Sequence, residues 1–146
     1  MRSRKLMMFA AVLAVLAMFT VFWAFRTGWT RRQAESMSCG NYMCSICIGA
    51  RSWAFDNNGQ MPSDFLSMSN ELATPRILIC PGDHGRQPAT TWAALTPQQS
   101  SYEIVTMQLR EGDSNGVFLR CKFHTNHIGY ADGTVFDGSR RRTKVF

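Results

Sequence analysis

The sequence predicts an α+β fold, in which a long N-terminal helix precedes a small domain built from short strands. An apolar run over residues 6–25 and a helical periodicity that continues to Asp56 predict the helix. Short apolar segments bounded by Gly, Pro and Asp-Gly turns predict the strands, and all of them lie in the second half of the chain. Because the helical and strand signals are separated along the chain and do not alternate, the α+β class is favoured over α/β.

The apolar run begins at Leu6, ends at Phe25 and contains Thr20 as its one polar side chain. Its length at helical rise is about 30 Å, which matches the hydrocarbon core of a bilayer. A cleaved signal peptide is the alternative, but its apolar region usually has only about 7–15 residues. We therefore expect a transmembrane helix over residues 1–25, a juxtamembrane helical linker over 26–38 and a globular ectodomain over 39–146.

The net charge of +6 is concentrated at the two ends of the chain. Residues 1–38 hold six Lys or Arg against one acid, and four of the ten remaining basic residues lie within residues 140–144. The body of the domain is nearly neutral, so a nucleic-acid partner is not expected, whereas membrane lipid is. A short terminal run of basic residues is more often solvated than bound to an anionic partner. Five cysteines favour an oxidising compartment, and we expect a single-pass protein of the inner membrane with its C-terminal domain extracytoplasmic.

A second helical segment begins at Cys39. Apolar residues recur there at three- and four-residue spacing, which predicts one buried stripe: Met43, Ile46, Cys47, Ala50, Trp53 and Ala54. Asn58 and Gly59 are predicted to end the helix, because both accept the left-handed backbone of a helix C-terminus.

The second half of the chain carries short signals. Residues 65–72 predict one or two helical turns, residues 76–80 a brief strand, and residues 82–100 a surface loop. Residues 102–107 are strand-like. The clearest strand covers residues 117–123, whose alternation predicts an apolar face made of Val117, Leu119, Cys121 and Phe123.

A β-hairpin is predicted around Asp132 and Gly133. Asp-Gly between two apolar segments favours a two-residue type I′ turn, because both central residues of that turn need positive φ. In this register Tyr130 would face Val135 across the ladder.

Four segments resemble one family when they are taken in order. They are Cys39-Gly-Asn, residues 53–62, residues 79–83 (Ile-Cys-Pro-Gly-Asp), and a His followed by Ala-Asp-Gly-Thr-Val at residues 131–135. Together they resemble the pseudopilin-like proteins of bacteria, which are related to the major pseudopilin of type II secretion. That family ends in a motif of His, nine residues and Asp-Gly. His127 with Asp137-Gly138 fits that spacing. The Ala-Asp-Gly-Thr-Val segment matches the family's usual context, but its Asp132 lies only eight residues after His124, so both histidines remain candidates.

The resemblance implies a long N-terminal helix packed on a small antiparallel sheet. It also implies a structural or assembly role in a type II secretion or type IV pilus-like system, with other pseudopilin or secretion-system subunits as partners. Prepilins carry a Gly before the apolar run and a Glu five residues after the cleavage point. This chain has Lys5-Leu6 there and no acid within residues 6–25, so we expect an unprocessed anchor that does not polymerise.

The cysteines allow three interpretations. A zinc site would pair Cys44-x2-Cys47 with Cys121-x2-His124, but zinc pairs normally sit on tight turns and the first pair lies in a helical pattern. Buried thiols or a disulfide are therefore favoured. Cys80 and Cys121 are the disulfide candidate, because Cys80 ends one apolar segment and Cys121 lies on the buried face of the strongest strand. Cys39 is left to contact a neighbouring chain.

The remaining candidate ligands are His124, His127, Asp132 and Asp137. Calcium at the two aspartates is a weak hypothesis, since too few acids lie nearby to supply the 6–8 oxygens that it prefers. The sequence has no Gly-x-Ser-x-Gly, His-Glu-x-x-His or phosphate-loop motif, so we expect neither catalysis nor an organic cofactor. The alternative function is that of a membrane-tethered extracytoplasmic domain that binds a metal ion or a small ligand.

Overall fold

The computed structural model of the protein describes residues 2–105, 108–139 and 141–142. Helix α1 is Arg2–Asp56 and is followed by three short 3₁₀ helices, Pro75–Leu78, Trp92–Ala94 and Pro97–Gln99. The strands are β1 (Tyr102–Ile104), β2 (Val117–Cys121), β3 (His127–Tyr130), β4 (Val135–Asp137) and β5 (Arg141–Arg142). The chain divides into two compact units, one ending at Ala34 and one beginning at Glu35.

The first unit is the N-terminal part of α1, which contains the apolar run of residues 6–25. Its side chains between Ala11 and Phe25 are all exposed, and Phe25 itself is 76 % exposed. The most apolar 18-residue window has a mean hydropathy of 1.7 and none of it is buried. The long N-terminal apolar helix expected from the sequence is therefore present, and its length and composition suit a membrane anchor or a signal sequence.

The last part of α1 belongs to the second unit and forms one side of its core. The predicted stripe is buried there apart from Trp53, which is only partly buried. Cys39, Met43, Ile46 and Ala50 are fully enclosed. The helix ends at Asp56, where the amide of Gly59 donates a 2.8 Å hydrogen bond to the carbonyl of Ala54. Asn58 and Gly59 have φ of +56° and +74°, which confirms the predicted left-handed end.

The strands form one antiparallel sheet in the order β1-β2-β3-β4-β5, of which β5 is a two-residue edge strand. The buried stripe of α1 packs on this sheet. Gly129 marks the closest approach, since a Cβ there would lie 2.6 Å from Sγ of Cys47. The α+β class is confirmed, and a long helix on a small antiparallel sheet is a pilin-like architecture.

Two of the predicted strands differ from the structure. Residues 76–80 do not form a strand, because Pro75 starts the 3₁₀ helix Pro75–Leu78 and its fixed φ favours a helical turn. In β2 a bulge between Val117 and Leu119 disrupts the alternation, so Phe118 is fully buried. The strand ends at Cys121, two residues before its predicted end, and Phe123 beyond it is 52 % exposed. Residues 106 and 107 of the predicted strand 102–107 lie outside the described residues.

The β3–β4 turn also differs in type. Gly129, not Tyr130, lies opposite Val135, and the amide of Gly133 donates to the carbonyl of Tyr130 at 3.0 Å. Gly133 has a φ of +85°, but Asp132 is not among the described non-glycine residues with positive φ. The turn is therefore a three-residue loop with a glycine bulge, and not type I′. The Asp132 carboxylate favours it by accepting hydrogen bonds from the amide and the hydroxyl of Thr134.

Candidate metal centre

Three cysteines and one histidine meet between α1, the loop after the first 3₁₀ helix, and the end of β2. The ligand atoms of Cys39, Cys80, Cys121 and His124 all lie within 4.8 Å of one another. The three cysteines are at most 2 % exposed, and His124 is half-buried at the edge of the group. We call these four residues the Cys₃His cluster.

Cys39 is placed by α1, at the start of the buried stripe. It is fully buried, and the hydroxyl of Tyr102 lies 3.6 Å from its sulfur as a donor. Tyr102 lies opposite Cys121 in the β1–β2 register, so the sheet positions the donor that reaches Cys39.

Cys80 is placed by a tight turn through Pro81 and Gly82. The amide of Asp83 donates to the Cys80 carbonyl at 2.8 Å and closes this turn. The Asp83 carboxylate then accepts hydrogen bonds from Nε of Arg86 and from the hydroxyl of Ser101, both at 2.8 Å. Burial raises the pKa of Asp83, but those two hydrogen bonds and the Arg86 charge outweigh it and leave the pKa lowered.

Cys121 and His124 come together because β2 ends at Cys121. The chain turns there, and the amide of His124 donates to Sγ of Cys121 at 3.2 Å. This turn brings Nδ1 of His124 to 3.2 Å from Sγ of Cys80. The imidazole is held between His127, stacked on it at 4.8 Å, and the ring of Phe123, edge-on at 5.1 Å.

Hydrogen bonds among the three thiols of the cluster shift their pKa values in opposite directions. Hydrogen bonds from Cys39 and Cys80 lower the pKa of the Cys121 thiol far below its usual value. The hydrogen bond with Cys121 raises the pKa of Cys39 and also that of Cys80. The three thiols are therefore coupled by hydrogen bonds, and their sulfurs lie close enough together to share one ligand.

Three sulfurs and one imidazole nitrogen form a donor set that suits a soft or borderline cation. A tetrahedral zinc ion with Zn–S bonds near 2.3 Å separates its sulfur ligands by about 3.8 Å. The observed limit of 4.8 Å is within a small side-chain adjustment of that value.

The structure selects a different cysteine set from the zinc hypothesis based on Cys44 and Cys47. These two residues are outside the cluster, and Sγ of Cys47 faces Gly129 instead. Complete burial raises the pKa of the Cys47 thiol, so this side chain behaves as an apolar core residue. Cys39 and Cys80, which sequence reasoning treated separately, replace them beside Cys121 and His124.

No disulfide bond joins any of the five cysteines, all of which lie within the described ranges. The Cys80–Cys121 pairing stays a prediction. The structure adds that both sulfurs belong to the cluster and that Cys39 lies beside them, so a disulfide and a metal ion would compete for the same atoms.

The other candidate ligands are engaged in the hairpin. The Asp137 carboxylate accepts hydrogen bonds from the amide and hydroxyl of Ser139, at 3.1 and 2.7 Å, much as Asp132 does with Thr134. His127 is buried, and its Nε2 lies 3.1 Å from the hydroxyl of Ser36 on α1. His127 and Asp137 are direct partners across β3 and β4, which explains their nine-residue separation as a hairpin spacing.

Comparison of the chain with protein-family models, with curated proteins and with solved structures gives no match. The structure itself supports a pilin-like architecture, in which a long N-terminal helix packs on an antiparallel sheet. Two sequence signals could have pointed to the cluster: a cysteine before Pro-Gly, and Cys121-x2-His124 at a strand end. Single cysteines 41 residues apart, at positions 39, 80 and 121, do not form a recognisable ligand pair.

Proposed function

We propose that this protein is a membrane-anchored structural or assembly component of a type II secretion or type IV pilus-like system. The observation that carries the proposal is the division of one helix, α1, into an exposed apolar part and a part buried against a small antiparallel sheet. A protein of this architecture presents an apolar helix to a membrane or to other helices while its domain stays in water.

The exposed surface of the apolar part supports anchoring over burial in a larger core. Phe19, Phe22 and Trp23 are each close to 60 % exposed, an arrangement that is unfavourable in water. Thr20 and Thr27 return their hydroxyls to helix carbonyls, so their polar groups are satisfied within the helix itself. The proposed topology is a single pass through the inner membrane with the domain extracytoplasmic.

In this proposal the chain does not polymerise into a filament. Lys5-Leu6 stands where prepilins have their processing glycine, and residues 6–25 contain no acid that could pair with a neighbouring subunit's N-terminus. An unprocessed relative of this kind would support an assembly from the membrane and would not serve as its repeating subunit.

In-cell photocrosslinking tests this function. A photoreactive residue at Phe19 should crosslink to secretion or pilus subunits that carry their own N-terminal apolar helix. The same residue at Phe55, which is 87 % exposed on the second unit, is the matched control and should not label lipid. Crosslinks from Phe19 to lipid alone would overturn the assembly role and leave only anchoring.

The alternative, a tethered domain that binds a metal ion or a small ligand, is favoured by one observation, the Cys₃His cluster. The two functions make different demands on that cluster. A ligand-binding or catalytic metal needs an open coordination position, whereas a structural metal does not.

A further inference from the structure

We propose that the Cys₃His cluster binds one zinc ion in a closed tetrahedral site, through Sγ of Cys39, Cys80 and Cys121 and Nδ1 of His124. This site is independent of the assembly function, since it concerns how the domain is held together and not what the anchor contacts.

The positions of the four ligand atoms suit a single metal ion. The four ligand atoms come from three segments that are far apart in sequence, yet all lie within 4.8 Å of one another. Three of them are sulfurs enclosed in the core. Cys80 and His124 already contact each other at 3.2 Å, close to the ligand separation of a tetrahedral ion.

The hydrogen-bond donors around the sulfurs also support a metal site. Two of the sulfurs have a hydrogen-bond donor aimed at them: the Tyr102 hydroxyl at Cys39, and the His124 amide at Cys121. Neutral thiols are weak acceptors, so this set of donors matches anionic thiolates better. Hydrogen bonds to ligand atoms are what orient and tune the ligands of metal sites.

The donor atoms favour zinc over other ions. Thiolate and imidazole are soft or borderline ligands, which select zinc, copper or iron over calcium and magnesium. No carboxylate belongs to the cluster of described residues, so the hard oxygen ligands of calcium are missing from it. Ligand atoms within 4.8 Å of one another surround a single ion, whereas a multi-iron cluster would hold its cysteines further apart.

Four protein ligands around the zinc ion indicate a structural role for the metal. Three cysteines and one histidine complete a tetrahedron and leave no open position for substrate or water. The ion would tie α1 to the Cys80 turn and to the end of β2, three parts of the core that no disulfide joins. A domain of this size has a modest core, and such ties are a common way to stabilise one.

Metal analysis of the full chain, purified in detergent without chelators, is the direct test. We expect about one zinc per chain and negligible calcium. The variants Cys39→Ser, Cys80→Ser, Cys121→Ser and His124→Gln should each lower the zinc content by about tenfold or more. Cys44→Ala, a change at a buried cysteine outside the cluster, is the matched control and should keep the wild-type zinc content.

Cobalt substitution keeps the test decisive if a ligand variant fails to fold. Wild-type protein exchanged with Co²⁺ should show intense visible bands of tetrahedral cobalt and near-ultraviolet thiolate-to-cobalt charge transfer. The charge-transfer intensity reports thiolate ligands directly, so Cys44→Ala should give the same spectrum.

Three results would overturn the proposal. They are a metal-free wild-type chain with no thiolate-to-cobalt transition, iron in place of zinc, and a disulfide between any two of Cys39, Cys80 and Cys121 in protein taken from intact cells. Equal zinc loss in the Cys44→Ala control would also count against these four ligands.

Discussion

The sulfur of Cys80 lies 3.2 Å from Nδ1 of His124, although 44 residues separate the two in sequence. One residue follows a 3₁₀ helix and the other follows a strand, and each is positioned by a tight turn. Their contact brings the two turns together over Cys39 of α1 and completes the Cys₃His cluster.

Removing the metal should destabilise the domain. Chelation of the full chain in detergent should lower the thermal midpoint, because a cross-link closing a loop of about 40 residues is worth about 4 kcal/mol in the chain-entropy treatment. Differential scanning calorimetry with and without chelator measures the shift. His124→Gln should show little further response to chelator, and an equal shift in that variant would contradict the site.

We expect the Cys80–Cys121 disulfide predicted from the sequence to form on oxidation only after the metal has been removed. With zinc bound, all three cluster sulfurs are occupied and peptide mapping under non-reducing conditions should find no cross-link. After chelation and mild oxidation we expect a Cys80–Cys121 peptide, because both sulfurs lie in one group. A cross-link restricted to Cys44 and Cys47 would contradict this prediction.

Gly133→Val should destabilise the domain by about 1 kcal/mol or more, the scale of a strained backbone position. Gly133 has a φ of +85°, and a Cβ there would lie 3.0 Å from Cδ of Arg51. Gly85→Val is the matched control, since a Cβ at Gly85 meets nothing within 4 Å. Chemical denaturation measures both variants, and an unchanged midpoint for Gly133→Val would refute the turn geometry.

Asp83→Asn should cost about 1–2 kcal/mol near neutral pH, because the carboxylate accepts charge-assisted hydrogen bonds beside the Cys80 turn. The folded-state pKa of Asp83 is lowered. The contribution is therefore present above the unfolded-state pKa of about 3.9 and lost as the pH falls through the lower folded-state value.

The stability difference between wild type and Asp83→Asn should accordingly shrink on acidification below about pH 4. Urea denaturation at a series of pH values measures it. Asp56→Asn, which removes an exposed carboxylate at the end of α1, serves as the control. A difference that stays constant with pH would assign the effect of Asp83→Asn to packing instead.

The N-terminus should remain unprocessed. With Lys5-Leu6 at the start of the apolar run, we expect the mature chain to begin at Met1 or Arg2 and to resist carbonate extraction from membranes. Intact mass measurement of the membrane-purified protein decides the first point. A chain that starts near Leu6, or a freely soluble product, would refute the uncleaved anchor.

Sequence patterns predicted the parts of this fold that depend on local periodicity. The stripe from Met43 to Ala54 and the helix end at Asn58 and Gly59 follow from helical spacing and left-handed backbone preference, and both are present. Local patterns gave the wrong structure at two places, where a proline or a bulge overrode the strand alternation. Pro75 converted an apolar strand pattern into a 3₁₀ helix, and a bulge in β2 buried Phe118 against the alternation.

The cluster depended on information that no local pattern contains. Sequence alone determined that Cys121 faces the core and that Cys80 is followed by a turn, because strand alternation and Pro-Gly act over a few residues. Only the tertiary structure brought Cys39 to these two and turned His124 back toward them, since that requires the packing of α1 on the sheet and the end of β2 at Cys121. Contacts between residues 41 positions apart are set by the whole core, so the sequence supplied the ligands and the fold selected which of them meet.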